Sequence, residues 1–499
     1  MKFIQSKLAL ALGLVSMLSC EQYFDPTTNI NETSALASES DVQTVTIGTY
    51  AFLNKSPYVY SGHIMMEYPS DEIAQGQISG NDFTRVYRYT HINTSSHATS
   101  YWSQCYKIIA AANKVIGFVS NDASAELKQL KGENLYLRAM AHFNMVRMFG
   151  RPYPQDNGNN PGIPILRDGL SDTEVTSLPR SSVKEVYDFV ISDLLAAAEL
   201  MTVSKSNIYA SKEVAYALLS KVYLFKNDNA NALKYADLVI DSGRYTLLPS
   251  SNYANYFKIV PENNSETIFA VRHTSVQIAE ISSMYISSDR SGTPLAQGVS
   301  GWAELYASQK YIDFLNQHPE DLRKSFITPY VLNGELQTNK KLTPATPMYY
   351  INKYTLQDNV INASSPVYLR LADIYLIRAE ANAKLGNTAA ALEDVNRIRT
   401  RAGLSGTALY TTGNMAAAGK TILDVVLEER FLELAFEGHR IYDLFRNGRP
   451  MIRNYPGTHS QNNTPTTDVR QTVMPTDPRV VFFIPQNEID QNKNLVQNP

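Results

Sequence analysis

Two helical hairpins built around small residues constrain this chain more than any other feature. Residues 211–226 and 230–242 carry apolar side chains at helical spacing on either side of Asn227–Asp228–Asn229. Residues 366–385 and 388–402 do the same around Gly386–Asn387. Ser220, Tyr223, Ala232 and Ala236 in the first pair, and Ala379, Gly386, Ala391 and Val395 in the second, occupy the close-approach positions. Small side chains there let antiparallel helices come together, and such pairs bury their remaining faces by stacking. Helical periodicity also predicts helices over 101–119, 126–149, 183–201 and 421–445. Ser182 and Glu185 form a capping box at the start of the third.

The hairpins resemble tetratricopeptide repeats, but their wide separation in sequence excludes a simple solenoid. The stretches 55–100 and 246–364 differ in kind, being rich in Ser, Thr, Asn, Gly, Pro and Tyr. Structureless segments of that length are uncommon in a compact domain unless they carry function. The expected fold is therefore mainly α: tetratricopeptide-like helical hairpins under an irregular, loop-rich ligand-binding layer.

The first residues point to export. Lys2 and Lys7 precede the apolar run Leu8–Leu18, then Ser19 and Cys20. That is the layout of a secretory signal, too short to span a bilayer. Cys20 at the cut point predicts a lipoprotein, although Met17 stands where such signals usually have Leu. Residues 20–41 then read as a lipidated cysteine and a flexible tether. With two cysteines in the chain, acylation of Cys20 leaves Cys105 as a buried, inert thiol. The formal charge of −3 becomes −5 once Lys2 and Lys7 are removed, which argues against nucleic acid as a partner. The folded body divides into residues 42–245, 246–364 and 365–499.

No catalytic constellation is legible. There is no phosphate-binding Gly-Lys loop, no H-E-x-x-H, no paired C-x-x-C and no G-x-S-x-G; Gly76–Gly80 has Ile where the serine would stand. The eight histidines show no metal-ligand spacing, and Asp156–Asn160, which faintly resembles a calcium loop, reads instead as a plain polar turn before Pro161. No metal or cofactor is implied. Glu67, Asp71 and Glu72 lie together, but a hydrolase needs two carboxylates set across a sugar ring, which spacing alone does not establish.

A family resemblance covers nearly the whole chain after residue 19. Residues 428–449, EERFLELAFEGHRIYDLFRNGR, resemble the C-terminal signature of the SusD/RagB family. Residues 367–381 (VYLRLADIYLIRAEA), 102–116 (WSQCYKIIAAANKVI) and 133–150 (ENLYLRAMAHFNMVRMFG) are similar to three of its helices. The ending FFIPQNEIDQNKNLVQNP resembles its tail, with Lys493 where Pro is usual, and Tyr23–Pro26 after Cys20 its beginning. On the residues alone, Glu429, Arg430, Glu433, Glu437, Arg440, Asp443 and Arg446 read as a structural charge network on one helix, with ligand contact through Arg440 the lesser alternative. Trp102 reads as packing.

The resemblance implies a non-catalytic, lipid-anchored protein on the surface of the outer membrane. It would hold oligosaccharides, or in some members peptides, for a SusC-like TonB-dependent transporter. A secreted glycoside hydrolase and a periplasmic scaffold remain the alternatives of other classes. Sugar rings stack on exposed aromatics flanked by amides and carboxylates on loops. Two clusters fit: Tyr68, Asp71, Asn81, Asp82, Phe83 and Tyr87; and Tyr285, Asp289, Arg290, Trp302 and Tyr306.

Overall fold

The computed structural model describes residues 36, 38–75, 81–285, 305–332, 334–339, 346–453 and 472–499. Cys20, the 76–80 stretch, Asp289, Arg290 and Trp302 lie outside them. Helices α1 (Glu39–Leu53) and α2 (Ser56–Glu67) lead to strand β1 (Ile73–Gln75) and α3 (Asn81–Arg88). Next come α4 (Ser96–Phe118), α5 (Ala125–Phe149), α6 (Val183–Leu200), α7 (Lys212–Phe225) and α8 (Asn229–Asp241). The irregular segment holds β2 (Thr267–Ala270), β3 (Leu305–Ala307), α9 (Gln309–Asn316), β4 (Ile327–Pro329) and β5 (Tyr349–Ile351). Strand β6 (Val367–Arg370) runs into α10 (Leu371–Lys384), followed by α11 (Thr388–Arg401), α12 (Ile422–Glu433) and α13 (Arg440–Arg446).

Consecutive helices from α4 to α8 pack side by side, and α8 then packs against α10. The two hairpins are thus distant in sequence but adjacent in space, with the segment between them looped out of one helical stack. Ser220, Ala232, Ala236, Ala379, Ala391 and Val395 are fully buried where the helices approach. Arg378 on α10 ties three helices together, bonding Asp237 on α8 at 3.0 Å and Asp394 on α11 at 2.8 Å. Gly386 turns the second hairpin at φ +85°, a conformation that suits glycine. The predicted capping box forms: Ser182 Oγ accepts from the Glu185 N–H while the Glu185 carboxylate accepts from the Ser182 N–H.

Two helix predictions need correction. Residues 366–370 are not helical: Val367–Arg370 pair antiparallel with β2, Val367 opposite Ala270 and Arg370 opposite Thr267. Arg370 is held there by buried carboxylates, and α10 starts only after it. Residues 421–445 are not one helix either. The chain breaks between α12 and α13, with Phe436 at φ +67° and Gly438 at φ +72°. A Cβ on Gly438 would stand 2.9 Å from Met66 Cβ, so α2 presses directly on this turn.

Candidate ligand site

Strand β1 pairs antiparallel with β3: Ile73 faces Ala307, Ala74 faces Tyr306 and Gln75 faces Leu305. The chain therefore leaves β1 toward residue 76 at the same end where it re-enters β3 from residue 304. Both segments predicted to carry ligand residues spring from one short sheet edge. That edge is pinned from below. Ser308 donates its N–H to the Glu72 carbonyl at 2.8 Å and its hydroxyl to the Asp71 carbonyl at 2.9 Å.

Asp71 lies beneath the edge and is fully buried. Its carboxylate accepts from Arg440 at 2.7 Å and 3.1 Å and from Lys310 at 2.6 Å. Burial works against the charge, but Arg440 and Lys310 overcome it and hold the carboxyl at about 2. Arg440 is thereby engaged with Asp71 and lies over the Phe431 ring.

The other predicted residues fall into three settings. Phe83 stacks on Tyr68 at 5.7 Å and lies 4.9 Å from His97, with Tyr60 at its edge. Asp82 faces solvent more and accepts from the Ser96 N–H at 3.0 Å and hydroxyl at 2.8 Å. Tyr68 and Tyr87 are buried, the latter under the Arg453 guanidinium at 3.8 Å. Tyr285 is buried as well, stacked on Tyr354 at 5.6 Å with its hydroxyl on His63 Nε2. Tyr306 sits in a small cluster with Tyr330, Met348 and Tyr350. Among these, only Phe83 and Asp82 offer partly exposed side chains. His97 and Tyr60 join Phe83 through tertiary contact, and nothing local in the sequence marks them. The side chain of Asn81 is outside the described residues, like the 286–304 stretch.

Glu67 and Glu72, the nearest approach to a catalytic pair, are both buried. Glu67 accepts from the Gly438 N–H at 2.9 Å, and Glu72 from the Phe436 N–H at 3.0 Å. Ser70 donates to Glu67 at 3.0 Å. Burial raises the Glu67 carboxyl to about 7, and burial together with Glu67 raises Glu72 well above its ordinary value. A hydrogen bond between the two carboxyl groups lets them share a proton. Their chemistry here is to cap the strained α12–α13 turn with acceptors.

The comparisons with known proteins follow this geometry. A family model described as "SusD family" matches residues 328–499. A second, described as "Starch-binding associating with outer membrane", matches residues 22–224. SusD-like protein P2 of Formosa agariphila is 24% identical over 525 aligned positions, spanning 99% of this chain and 98% of its own. A SusD superfamily protein of Bacteroides thetaiotaomicron superposes with a TM-score of 0.78 at 27% identity, covering 93% of this chain and 100% of that one. Another, from Bacteroides vulgatus, gives 0.77 at 27% identity, with 93% and 99% covered. The chain belongs to the SusD/RagB family.

The charged residues of its two SusD/RagB signature segments can now be placed. Arg370, with Arg323, Arg399, Arg401 and Lys353, faces Glu266, Asp321, Glu429, Glu433 and Glu437: five cations against five carboxylates, nearly all sealed from water. Arg323 bonds Glu429 at 2.6 Å, and Arg370 bonds Glu433 at 2.5 Å and Glu437 at 2.9 Å. A second group joins Arg430 to Asp373 at 3.0 Å and Asp443 at 2.7 Å, and Arg446 to Glu380 and Asp443. These are interior ion pairs that hold β6, α10, α12 and α13 together, so the structural reading of the signature stands. Trp102 is buried, with Phe149 edge-on at 4.9 Å. Cys105 is buried and burial pushes its thiol far above the usual range.

Proposed function

We propose that this protein captures oligosaccharides at the surface of the outer membrane and passes them to a SusC-like TonB-dependent transporter without altering them. The observation that carries the reading is the β1–β3 pairing. It puts the point where the chain leaves β1, a few residues before Asn81, Asp82 and Phe83, beside the point where the chain enters β3, so both predicted ligand stretches join the described body at one sheet edge. The description of the family model over residues 22–224, starch-binding in association with the outer membrane, supports a carbohydrate ligand and that location. Attachment is assigned to an acylated Cys20, on the signal-like residues that precede it; no helix among the described residues is long and apolar enough to cross a membrane. A capture role also agrees with the use of Glu67, Asp71 and Glu72, whose oxygens accept from backbone, Arg440 and Lys310. Peptide capture is the second ligand class for the same loops. In this reading the helical hairpins form the docking face, and residues 55–100 and 246–364 carry the ligand.

The test is binding to a panel of defined oligosaccharides by affinity electrophoresis, with reducing ends measured in parallel. Binding without new reducing ends is expected, and turnover would overturn the proposal. Trp302→Ala should abolish binding with little change in melting temperature; a large drop in melting temperature would instead make Trp302 a packing residue. Loss of membrane fractionation on Cys20→Ala, and cleavage of the protein on intact cells by added protease, test the anchor and its exposure.

A further inference from the structure

A cleft of about 450 Å³ opens beside α4. It is lined by Trp102, Tyr106 and Ala110 of α4, by Leu166 and Leu178, and by Leu495 near the C-terminus. Hydrogen bonds fix its walls. Tyr106 donates its hydroxyl to the Pro164 carbonyl at 2.8 Å, and the Asn492 side chain donates to the Leu178 carbonyl at 2.8 Å. Asn494 donates to the Ser177 carbonyl at 2.6 Å. Apolar surface at the cleft is left open to water: Val175 in its lining is exposed, and Val496, next to Leu495, is 68% exposed. A preformed apolar cleft with exposed aliphatic residues around it is suited to an occupant.

The chain's own first residues after the signal-like stretch have the reach and the charge to fill it. Leu36 packs on the cluster of Val115, Val119 and Leu130, at the C-terminal end of α4. At about 1.5 Å per residue, Ala110 lies about 14 Å and Trp102 about 25 Å back along that helix. The twelve residues from Phe24 to Leu36 span up to about 40 Å, so Phe24 reaches the cleft with slack. Residues 20–38 hold Glu21, Asp25 and Glu32 and no Lys or Arg, and Tyr23 and Phe24 are their aromatics. Along the route α4 presents Lys114 and Lys107, both exposed, and the cleft itself holds Lys107 and Glu488. A second cleft, of about 260 Å³, lies beside the start of α1 and has the wrong sign. Glu39 and Glu126 line it, and its cation, Lys205, is already paired with Glu133.

We propose that residues 21–35 lie along α4, with the Tyr23–Phe24 pair seated in the cleft between Trp102, Leu178 and Leu495, and with Asp25 and Glu32 beside Lys107 and Lys114. Apolar burial of the two rings supplies the attraction, and the opposite charges set the direction of the segment along the helix. Cys20 stands three residues before Tyr23, within about 10 Å of it. Acyl chains on Cys20 would then emerge beside the cleft, and this side of α4 would face the membrane. That orientation rests on the acylation of Cys20; the packing of the segment does not.

The test uses residues 20–499 with Cys20→Ser, so that its outcome is independent of the lipid. Benzoylphenylalanine in place of Phe24 is photoactivated, and the crosslinked peptides are read by mass spectrometry. Adducts on residues 102–110, 164–178 or 488–495 are expected. Adducts on residues 39–47 or 202–209 would put the segment in the second cleft and overturn the proposal, as would adducts between two copies or no adduct at all. Chymotrypsin, which cuts after Tyr and Phe, gives a second readout that needs no altered aromatic. Cleavage after Tyr23 and Phe24 should be at least roughly tenfold faster in Ala110→Glu, which places a carboxylate in the cleft at an exposed helix position, than in the same chain without it. Equal cleavage rates in the two proteins would overturn the proposal.

Discussion

The helical stack and the layer above it are held by different physics. In the stack, apolar faces repeat every three to four residues, neighbours in sequence are neighbours in space, and small residues set the spacing. Its interior nonetheless contains ten paired charges around Arg370, drawn from β6, α11, α12 and the irregular segment. In the layer, strands are two to four residues long, and each is paired with a strand far away in the chain or in a short hairpin. Periodicity builds the first region, and long-range hydrogen bonds and ion pairs build the second. The α12–α13 turn is the joint, since Glu67 and Glu72 from the layer cap its amides and Glu433 and Glu437 beside it enter the charge network.

Breaking the network should show the largest effect. Arg370→Met leaves Glu266, Glu433 and Glu437 facing each other in the interior, and should cost about 3–5 kcal/mol in chemical denaturation. A loss under about 1 kcal/mol would show that the network is dispensable and the apolar stack suffices. Next comes the joint. Gly438→Ala puts a Cβ into a left-handed conformation and against Met66, and should cost about 1–3 kcal/mol by the same measurement.

The acid pair at the joint predicts a pH dependence. Glu67 is raised by burial to about 7 in the folded state, and Glu72, raised by burial and by Glu67, lies well above its ordinary value. Folding therefore favours the protonated forms. Their contribution is complete below the ordinary carboxyl range and is lost as pH rises through about 7. Stability should fall across that window by at most about 1.4 kcal/mol per pH unit for each proton concerned. Glu72→Gln, which keeps an acceptor for the Phe436 N–H, should flatten the slope. An equally steep fall in that variant would place its origin elsewhere. The smallest effect belongs to the layer's surface. Asp82→Ala removes an exposed acceptor from Ser96 and should cost about 0.5–1 kcal/mol, while weakening oligosaccharide binding if Asp82 contacts the ligand. A large thermal effect with unchanged binding would move Asp82 from the loop site into the scaffold.

How legible each region was follows from these forces. The helices of the hairpins, the Ser182 cap and the buried state of Trp102 and Cys105 could be read locally, because apolar spacing and capping need only near neighbours. The break at Phe436–Gly438 could not. The charges of residues 429–446 suit a continuous helix, and only Glu67, Glu72 and Met66, more than three hundred residues earlier, decide otherwise. The loop aromatics were partly legible. Tyr-rich composition marks the layer, yet Tyr68, Tyr87 and Tyr285 lie inside it while Phe83 reaches its surface. Tyrosine serves both roles with the same ring and hydroxyl, so residue type does not separate them.

The sequence by itself determined the mainly helical scaffold and the family, because these rest on periodicity and on ordered motifs. Tertiary structure alone decided that the distant hairpins stack as neighbours, that β1 and β3 bring the two segments to one edge, and that Asp71 and Arg440 serve each other. Those outcomes depend on which buried donor meets which acceptor, and pairings between residues hundreds of positions apart leave no local trace.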